Sequence, residues 1–511
     1  MLVTTLCILY FAKVPDGLHT RGSYVPSQEE VCEAYLGVPL TGDGFSLILT
    51  ADPGDFSGTP EAHHIIANLR HRTTKPRSES VCGGLYFGSL MGQDALVVTT
   101  GIGPTAAGLC VQELLTACGS SVTEMIYFGT SGWSPQLGGV LNPPNCSEAN
   151  PGRKITRVGD VCISPVSVNW VCKKSTWSLQ AEGFPNQCFR PEEVAGPNAT
   201  ALYGECLFAT DNLDANLALA DSLIAAARSS RGRAATPLRN GVVLAQEERY
   251  WGLMAEGTGR DYPAVRGDDL PQVWDYGTCA EVDGQFFFTG APWEVKARDY
   301  AAQAIATALG YGAPGSGARN ALGPDQVIAV SAMEGVGVAE ALEKYHRLDS
   351  TPRRIPYTNV RTLSNWIHHP VGKTKEDGVW SIYQEVPEDY VNGYAYAIAT
   401  GSVTILSLFQ RRCLARREIE GMAAADPRQQ RLLASQLLRH GMGGLALWAR
   451  RGGDGAEAGV GSGDGAAGAE GAEAAWAALG GRRGGGAGGG GGRDRDGGAD
   501  ARRCEFRVDY S

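Results

Sequence analysis

The sequence predicts an α/β fold, because short apolar strands repeatedly end in a glycine turn that leads into a helical pattern. The stretch Val327–Leu342 shows this most clearly: an apolar run ends just before Glu334, and apolar residues then recur at helical spacing. Ala95–Gly103 and Glu124–Gly132 are two further strands that run directly into glycines. Open α/β sheets bind ligands outside the carboxyl ends of their strands, so these turns form the candidate functional region.

Met333 and Glu334 lie at a predicted junction between a strand and a helix. A glutamate at such a junction can accept hydrogen bonds from a sugar diol, and a methionine offers a soft apolar surface. The alternative interpretation is that Glu334 is a first-turn residue stabilised by the helix dipole. The glycine turns favour a ligand site, because glycine allows close approach to backbone N–H groups.

The order of motifs in the chain is strand–GIG, strand–GTSG, Gly-Asp–strand, strand–Met-Glu-Gly and strand–Ser-Asn. This order resembles the nucleoside phosphorylase and nucleosidase superfamily, which includes purine nucleoside phosphorylases, methylthioadenosine/S-adenosylhomocysteine nucleosidases and plant bark storage proteins. The resemblance runs from Phe45 to Phe409. It implies a three-layer α/β/α, phosphorylase-like domain with a central mixed sheet, which forms a homo-oligomer. It further implies a nucleoside pocket lined by Gly129, Thr130, Ser131, Gly132, Met333 and Glu334.

The nucleophile is expected on the side of Gly101, Gly103 and Thr105, at a predicted helix N-terminus that can hold an anion. Similar hexameric phosphorylases carry a Gly-Asp-Pro turn and then an arginine that grips phosphate. Here the turn is Ala-Asp-Pro, and no arginine stands at the matching place. In similar nucleosidases an acidic residue in the same loop activates water, so the resemblance implies Asp52 or Asp55 as a candidate general base. A simple type I turn is the alternative.

Asn365 occupies the position where many members of the superfamily have an aspartate that protonates the purine. An amide has no proton to give at neutral pH, although it can hydrogen-bond a base. His368 and His369 follow closely, either as titrating substitutes or as ordinary loop residues.

The leading hypothesis is an enzyme that cleaves the N-glycosidic bond of a purine-type nucleoside by phosphorolysis or hydrolysis. No cofactor is expected, and inorganic phosphate is a candidate co-substrate. The missing arginine counts against phosphorolysis and the missing acid counts against hydrolysis, with phosphorolysis slightly favoured. A non-catalytic storage or nucleoside-binding protein of the same fold is the alternative.

The composition limits the partners of the chain. A net charge of −10 over 511 residues argues against a nucleic-acid binder, which would present a basic face. The 13 cysteines form no C-x-x-C pair, so no metal site is expected, and Cys110 and Cys118 are interpreted as buried thiols. A secretory or vacuolar route is slightly favoured over the cytoplasm by glycosylation sequons at Asn145 and Asn198 and by further cysteines nearby, Cys146, Cys172, Cys188 and Cys206.

The predicted organisation has four parts. Residues 1–43 form a leader, whose apolar start is either a weak signal segment or a stray strand. Residues 44–412 form the phosphorylase-like domain, with insertions near 134–157 and 170–270. A helical extension covers 413–451, and the Gly-rich stretch 452–511 is expected to be disordered. Tyr390–Gln410 is uncharged and is interpreted as a buried helix rather than a membrane span, so no membrane partner is expected.

Overall fold

A computed structural model describes residues 26–40, 44–137, 154–169, 207–283, 327–348, 354–425 and 504–510, with gaps at 56, 76–79, 209, 260, 265, 369–370, 374–379 and 383–386, together with 295, 298–299 and 301–302. The helices are α1 (Gln28–Leu36), α2 (His63–Ala67), α3 (Pro104–Cys118), α4 (Leu213–Arg228), α5 (Ser230–Ala235), α6 (Gly241–Thr258), α7 (Gly335–His346) and α8 (Pro387–Ala425). The strands are β1 (Phe45–Thr50), β2 (Arg70–Lys75), β3 (Gly84–Leu90), β4 (Gln93–Thr99), β5 (Val122–Trp133), β6 (Gln136–Leu137), β7 (Lys154–Ile155), β8 (Val161–Ser164), β9 (Ser167–Asn169), β10 (Leu207–Phe208), β11 (Val273–Trp274), β12 (Cys279–Asp283), β13 (Ile328–Ser331), β14 (Tyr357–Trp366), β15 (Val371–Lys373) and β16 (Trp380–Ile382).

The main sheet is mixed and runs in the order β10-β9-β12-β13-β5-β1-β4-β3-β2, with β14, β8 and β11 attached beside β5. Strands β1, β4, β5 and β14 are parallel to their neighbours in this group. Their carboxyl ends therefore meet along one edge. The pairs β3–β4, β13–β5 and β14–β8 are antiparallel.

Alternate residues of the central strands face two different cores, as the pleat of a strand requires. In β1, Leu47 and Leu49 pack with α3 and α7, whereas Ile48 packs with α2, α4 and α8. Helices thus cover both faces of the sheet. The predicted α/β fold with a central mixed sheet is confirmed.

Four disulfides join the described cysteines: Cys32–Cys118, Cys82–Cys110, Cys162–Cys279 and Cys413–Cys504. The interpretation of Cys110 and Cys118 as ordinary buried thiols is therefore wrong. Helix α3 carries both cysteines on its buried face, and tertiary packing brings a partner to each. The cysteines and sequons predicted within the insertions lie outside the described residues, as does the leader up to residue 25.

The last residues of the chain pack against the domain, at the end of a stretch for which the composition predicts disorder. Cys504 is bonded to Cys413 of α8. The side-chain amide of Asn68 donates to the backbone carbonyl of Arg507 and accepts from its backbone N–H. Asn240, at the start of α6, donates to the Tyr510 hydroxyl. The prediction of a disordered tail over 452–511 therefore does not hold for 504–510, where a disulfide and two apolar side chains offset the ordering cost.

Helix α8 includes the segment for which a membrane span was considered. Its middle is buried against the sheet. Among the described helices, none has the length and apolar character needed to cross a bilayer.

Candidate active site

Glu334 is buried at the junction of β13 and α7, where it is the N-cap residue of the helix. Its Oε1 atom accepts a hydrogen bond of 3.3 Å from the backbone N–H of Gly103, at the N-terminus of α3. The positive ends of two helices thus converge on one carboxylate. The predicted nucleoside residue Glu334 and the predicted nucleophile-side residue Gly103 are direct neighbours.

Glycine brings these two helices together. A Cβ atom on Gly337 of α7 would lie 1.9 Å from the carbonyl oxygen of Pro104, and one on Gly108 of α3 would lie 3.2 Å from the carbonyl oxygen of Gly337. No larger residue fits at Gly337 without separating the helices. The Gly-Val-Gly sequence after Glu334 therefore sets the distance between Glu334 and the Gly101–Gly103 turn.

Arg361 lies in the middle of β14, in register with Gly129 of β5, and its side chain is 1% exposed. Its Nε donates to Glu281 Oε1 at 2.6 Å, and its guanidinium lies 4.2 Å from the centre of the Tyr127 ring. Nη2 is 3.9 Å from Glu334 Oε2. Within the described part of the chain, neither Nη1 nor Nη2 makes a hydrogen bond. A buried guanidinium thus presents two donors beside Glu334.

Glu61 reaches the same place from the loop after β1. Its Oε1 accepts from the backbone N–H and the hydroxyl of Thr130, and its Oε2 accepts from the backbone N–H groups of Ala51 and Asp52. A Cβ atom on Gly129 would lie 2.5 Å from Arg361 Nη1 and 3.1 Å from Glu61 Oε1. The GTSG segment expected to follow a strand is itself part of β5, and Gly129 within it leaves the space in which Arg361 and Glu61 approach each other.

Asp52 and Asp55, the predicted base candidates, lie in different surroundings. Asp52 is buried, and its Oδ1 accepts from the backbone N–H groups of Gly54 and Asp55. Its Oδ2 accepts from the hydroxyl of Tyr394 in α8 at 2.8 Å. Asp55 is exposed. Asp52 thus stabilises the turn after β1, as the alternative interpretation of a simple turn describes. Its backbone N–H contacts the site by donating to Glu61 Oε2.

The remaining predicted residues surround this centre at different depths. Ser131 is buried and accepts a hydrogen bond from the Trp133 indole, and Gly132 faces Ile367 and Asn365. Asn365 is half-buried and accepts from Ser364 Oγ through its Oδ1. Met333 is half-buried, its backbone N–H directed at Glu334. Gly101 lies in the turn before α3, and Thr105 is exposed.

We call Glu61, Glu281, Asp283, Glu334 and Arg361 the Arg361 cluster. Burial raises the pKa of Glu334 to about 7 and that of Glu281 to about 8, and Arg361 opposes both rises. Burial also raises the pKa values of Glu61 and Asp283. Arg298, also buried, opposes the rise in the pKa of Asp283. The four carboxyl groups of the cluster still outnumber the two guanidinium groups that act on them, and the raised pKa values of Glu334 and Glu281 leave part of these groups protonated near neutral pH.

Sequence reasoning did not identify Arg361, Glu61, Glu281 and Asp283. Arg361 does carry a signal, since it is the one charged residue of β14, and β12 carries two acids, Glu281 and Asp283, among five buried residues. A charge within a central strand is rarely buried without a partner. Glu61 gives no such signal, because it belongs to a loop.

A cavity of about 330 Å³ lies among α4, α5, β11 and α8, and none of its lining residues is a predicted site residue. The described residues include no group of three or more His, Cys, Asp or Glu side chains that could hold a metal ion.

Neither protein-family models nor curated protein sequences match this chain. Several solved structures are similar to it at low identity. The 5′-methylthioadenosine/S-adenosylhomocysteine nucleosidase from Neisseria meningitidis, in complex with methylthio-immucillin-A, is 12% identical over 71% of this chain and 97% of that one, with a TM-score of 0.37. The corresponding nucleosidase from Colwellia psychrerythraea 34H, in complex with adenine, is 13% identical over 72% of this chain and 94% of that one, with a TM-score of 0.34.

The futalosine hydrolase of Helicobacter pylori strain 26695 is 12% identical over 72% of this chain and 98% of that one, with a TM-score of 0.34. Similarity at this level does not indicate which reaction this chain performs, so its chemistry is argued from its own residues. These three solved structures are thus two nucleosidases and one futalosine hydrolase.

Proposed function

We propose that this protein hydrolyses the N-glycosidic bond of a purine-type nucleoside, with the Arg361 cluster as its active centre. The observation that carries the proposal is the position of Arg361. Its two terminal amino groups are buried, make no hydrogen bond within the described residues, and lie beside Glu334 and Gly129. Buried donors without partners are costly, so such a pair is typical of a ligand site.

Three residues of the cluster, Glu334, Arg361 and Glu61, have direct roles in this proposal, as does the neighbouring Met333. Glu334 accepts hydrogen bonds from the ribose hydroxyls as positive charge develops on the sugar, and Met333 packs against the nucleoside. Arg361 positions the attacking water, and Glu61, whose pKa is raised by burial, takes its proton. The oxygen of water bonds to C1′ of the ribose as the bond from C1′ to the base breaks, and the base leaves with the electron pair of that bond. The base then takes a proton from solvent, Glu61 returns its proton to solvent, and free base and ribose result. Most of the rate comes from alignment and from preorganised charge.

The charge of the cluster favours water over phosphate as the nucleophile. Four carboxyl groups, Glu61, Glu281, Asp283 and Glu334, influence Arg361 or one another electrostatically. A phosphate dianion in this place would face several like charges across short distances. The local charge therefore reverses the slight preference for phosphorolysis drawn from the motifs.

The non-catalytic alternative keeps one specific observation in its favour. Asn365 stands where a proton donor to the leaving base is expected, and its Oδ1 already accepts from Ser364. A site that holds a nucleoside without cleaving it would have the same contacts around Glu334. Catalysis and binding must therefore be measured separately.

We propose an oxidising compartment for the protein. Four disulfides join distant parts of the described chain. Disulfides persist in secretory and extracellular environments and are rare in the cytosol.

The test is purine release from adenosine, inosine and methylthioadenosine, with and without phosphate, by the full chain and by Glu334→Ala. We expect release in water alone that is lost in the variant. The matched control is Glu247→Gln, a buried glutamate paired with Arg157 and Arg239 outside the cluster. Release that depends on phosphate would make the protein a phosphorylase. Nucleoside binding without release would support the binding protein instead.

A further inference from the structure

Within the described residues the guanidinium of Arg361 donates one hydrogen bond, and its acceptor lies on a different strand, β12. Glu281 of β12 accepts from Nε of Arg361 at 2.6 Å. We propose that Glu281 is a positioning residue, which holds the Arg361 guanidinium through Nε so that Nη1 and Nη2 both face the nucleoside. The inference rests on the proposed function, since it concerns the orientation of the group that meets the substrate.

Glu281 is itself fixed from several directions. Its Oε2 accepts from the hydroxyl of Ser167 at 2.5 Å, and its backbone N–H donates to Ser164 Oγ. A Cβ atom on Gly335 would lie 2.3 Å from Glu281 Oε1. The residue after Glu334 therefore has to be small for the carboxylate of Glu281 to reach Arg361. Ser164 of β8, Ser167 of β9 and Gly335 of α7 thus each help to place Glu281 against Arg361.

The geometry of the contact matters because a guanidinium is a planar fork. A carboxylate that bound the two terminal amino groups would use the donors that face the site. Glu281 instead binds Nε, the Tyr127 ring covers one face, and Nη2 is left 3.9 Å from Glu334. An ammonium group in place of Arg361 would carry the charge but could not be oriented by a bond at Nε.

Two substitutions of Glu281 separate the effect of its side-chain length from the effect of its charge. Glu281→Gln keeps an oxygen at the distance of Nε and loses the charge, whereas Glu281→Asp keeps the charge and shortens the side chain by one methylene. Positioning predicts that Glu281→Asp lowers kcat by roughly 10²-fold with little change in KM, because a misplacement of about 1 Å has that cost. It predicts a smaller loss for Glu281→Gln.

The decisive measurement is a double-mutant cycle on kcat with Arg361→Lys. If Glu281 acts through the fork of Arg361, Glu281→Asp in the Arg361→Lys background lowers kcat by no more than about twofold, the scatter of independent sites. Glu247→Gln is the control, and its effect on kcat, if any, should add to that of Arg361→Lys. Circular dichroism and thermal unfolding confirm that the variants are folded.

Three results would overturn the inference. Independent, additive losses from Glu281→Asp and Arg361→Lys would show that Glu281 acts elsewhere. A larger loss for Glu281→Gln than for Glu281→Asp would show that its charge matters and its reach does not. Absence of base release by the wild type would overturn the proposed function and the inference with it, whereas the first two results would leave the function intact.

Discussion

Arg361 and Arg239 are both buried among carboxyl groups, but their surroundings are built differently. The second set, which we call the Arg239 cluster, consists of Arg157, Asp160, Arg239 and Glu247. Nε of Arg239 donates to the Val158 carbonyl and lies 3.2 Å from Glu247 Oε1. Nη1 donates to the Asp269 carbonyl, and Nη2 lies 3.7 Å from Asp160 Oδ1. Arg361 uses Nε alone in hydrogen bonding within the described residues.

The charge balance also differs. In the Arg239 cluster two arginines face two acids, and the Trp274 indole and backbone N–H groups satisfy Asp160 further. The Arg361 cluster has four acids around its arginine. A balanced and hydrogen-bonded cluster fastens α6 to the loop before β8, whereas an acid-rich cluster with spare donors is equipped for a ligand. Burial alone does not distinguish the two, and within the described residues Nη2 of Arg239 also makes no hydrogen bond, as Nη1 and Nη2 of Arg361 make none. The difference lies in the excess of acids and in the two such donors that Arg361 presents beside Glu334.

The largest expected effect is on stability, at the Arg239 cluster. Glu247→Gln leaves two arginines with one acid in a buried place, which should lower the free energy of unfolding by about 3–5 kcal/mol. Chemical denaturation measures this loss. Base release per folded molecule should stay at the wild-type value, and a selective loss of activity would break the distinction between the clusters.

The second effect is on catalysis, at the Arg361 cluster. Glu334→Gln should lower kcat/KM by about 10²–10³-fold, the cost of removing one preorganised electrostatic partner. It should leave the free energy of unfolding unchanged or raise it, because it removes one of several competing carboxylates. Denaturation and steady-state kinetics on one preparation check both parts. A destabilised variant with normal kcat/KM would contradict the assignment.

The third prediction concerns the pH dependence of activity. Burial raises the pKa of Glu334 to about 7, and only the carboxylate accepts hydrogen bonds from two sugar hydroxyls. Activity should therefore fall about tenfold for each pH unit below that value, and level off above it. The kcat/KM profile between pH 5 and pH 9 shows the limb. Glu334→Gln should lose the contribution of Glu334 and keep only the acid limb of the base, Glu61, whose pKa burial also raises. An acid limb that survives unchanged in the variant would belong to another group.

The smallest effect is the pH dependence of stability, which the two clusters share. The pKa values of Glu247 and Glu334 are raised by burial from 4.5 to about 7, and that of Glu281 to about 8. Between pH 4.5, the ordinary pKa of a glutamate, and about pH 8, the folded protein holds protons that the unfolded chain has released. The free energy of unfolding therefore falls as pH rises through this range. The thermal unfolding midpoint should decrease from pH 5 to pH 8, and an increase over that range would contradict the raised values.

Much of the fold and part of the site could be predicted from local patterns. The strand and helix periods, the glycine turns and the position of Glu334 are all encoded within short stretches. The contact between Glu334 and Gly103 spans 231 positions, yet each half stands at a predicted strand end, so the edge of the sheet brings them together.

The other half of the site depends on contacts that no short stretch contains. Glu281 and Arg361 are 80 positions apart, and the pairing is decided by strand order and by the space beside Gly335. The disulfides of Cys110 and Cys118 depend in the same way on which elements pack against α3. Residues 504–510 follow a low-complexity stretch, and only the pairing of Cys504 with Cys413 shows that they belong to the domain.

The central claim is that the acid-rich Arg361 cluster performs chemistry and the balanced Arg239 cluster supports the fold. The most direct test measures base release from methylthioadenosine and the free energy of unfolding together, for the wild type, Glu334→Gln and Glu247→Gln. We predict a crossed result: Glu334→Gln is stable and inactive, and Glu247→Gln is unstable and active when folded. Parallel losses in both variants, or normal release by Glu334→Gln, would contradict the claim.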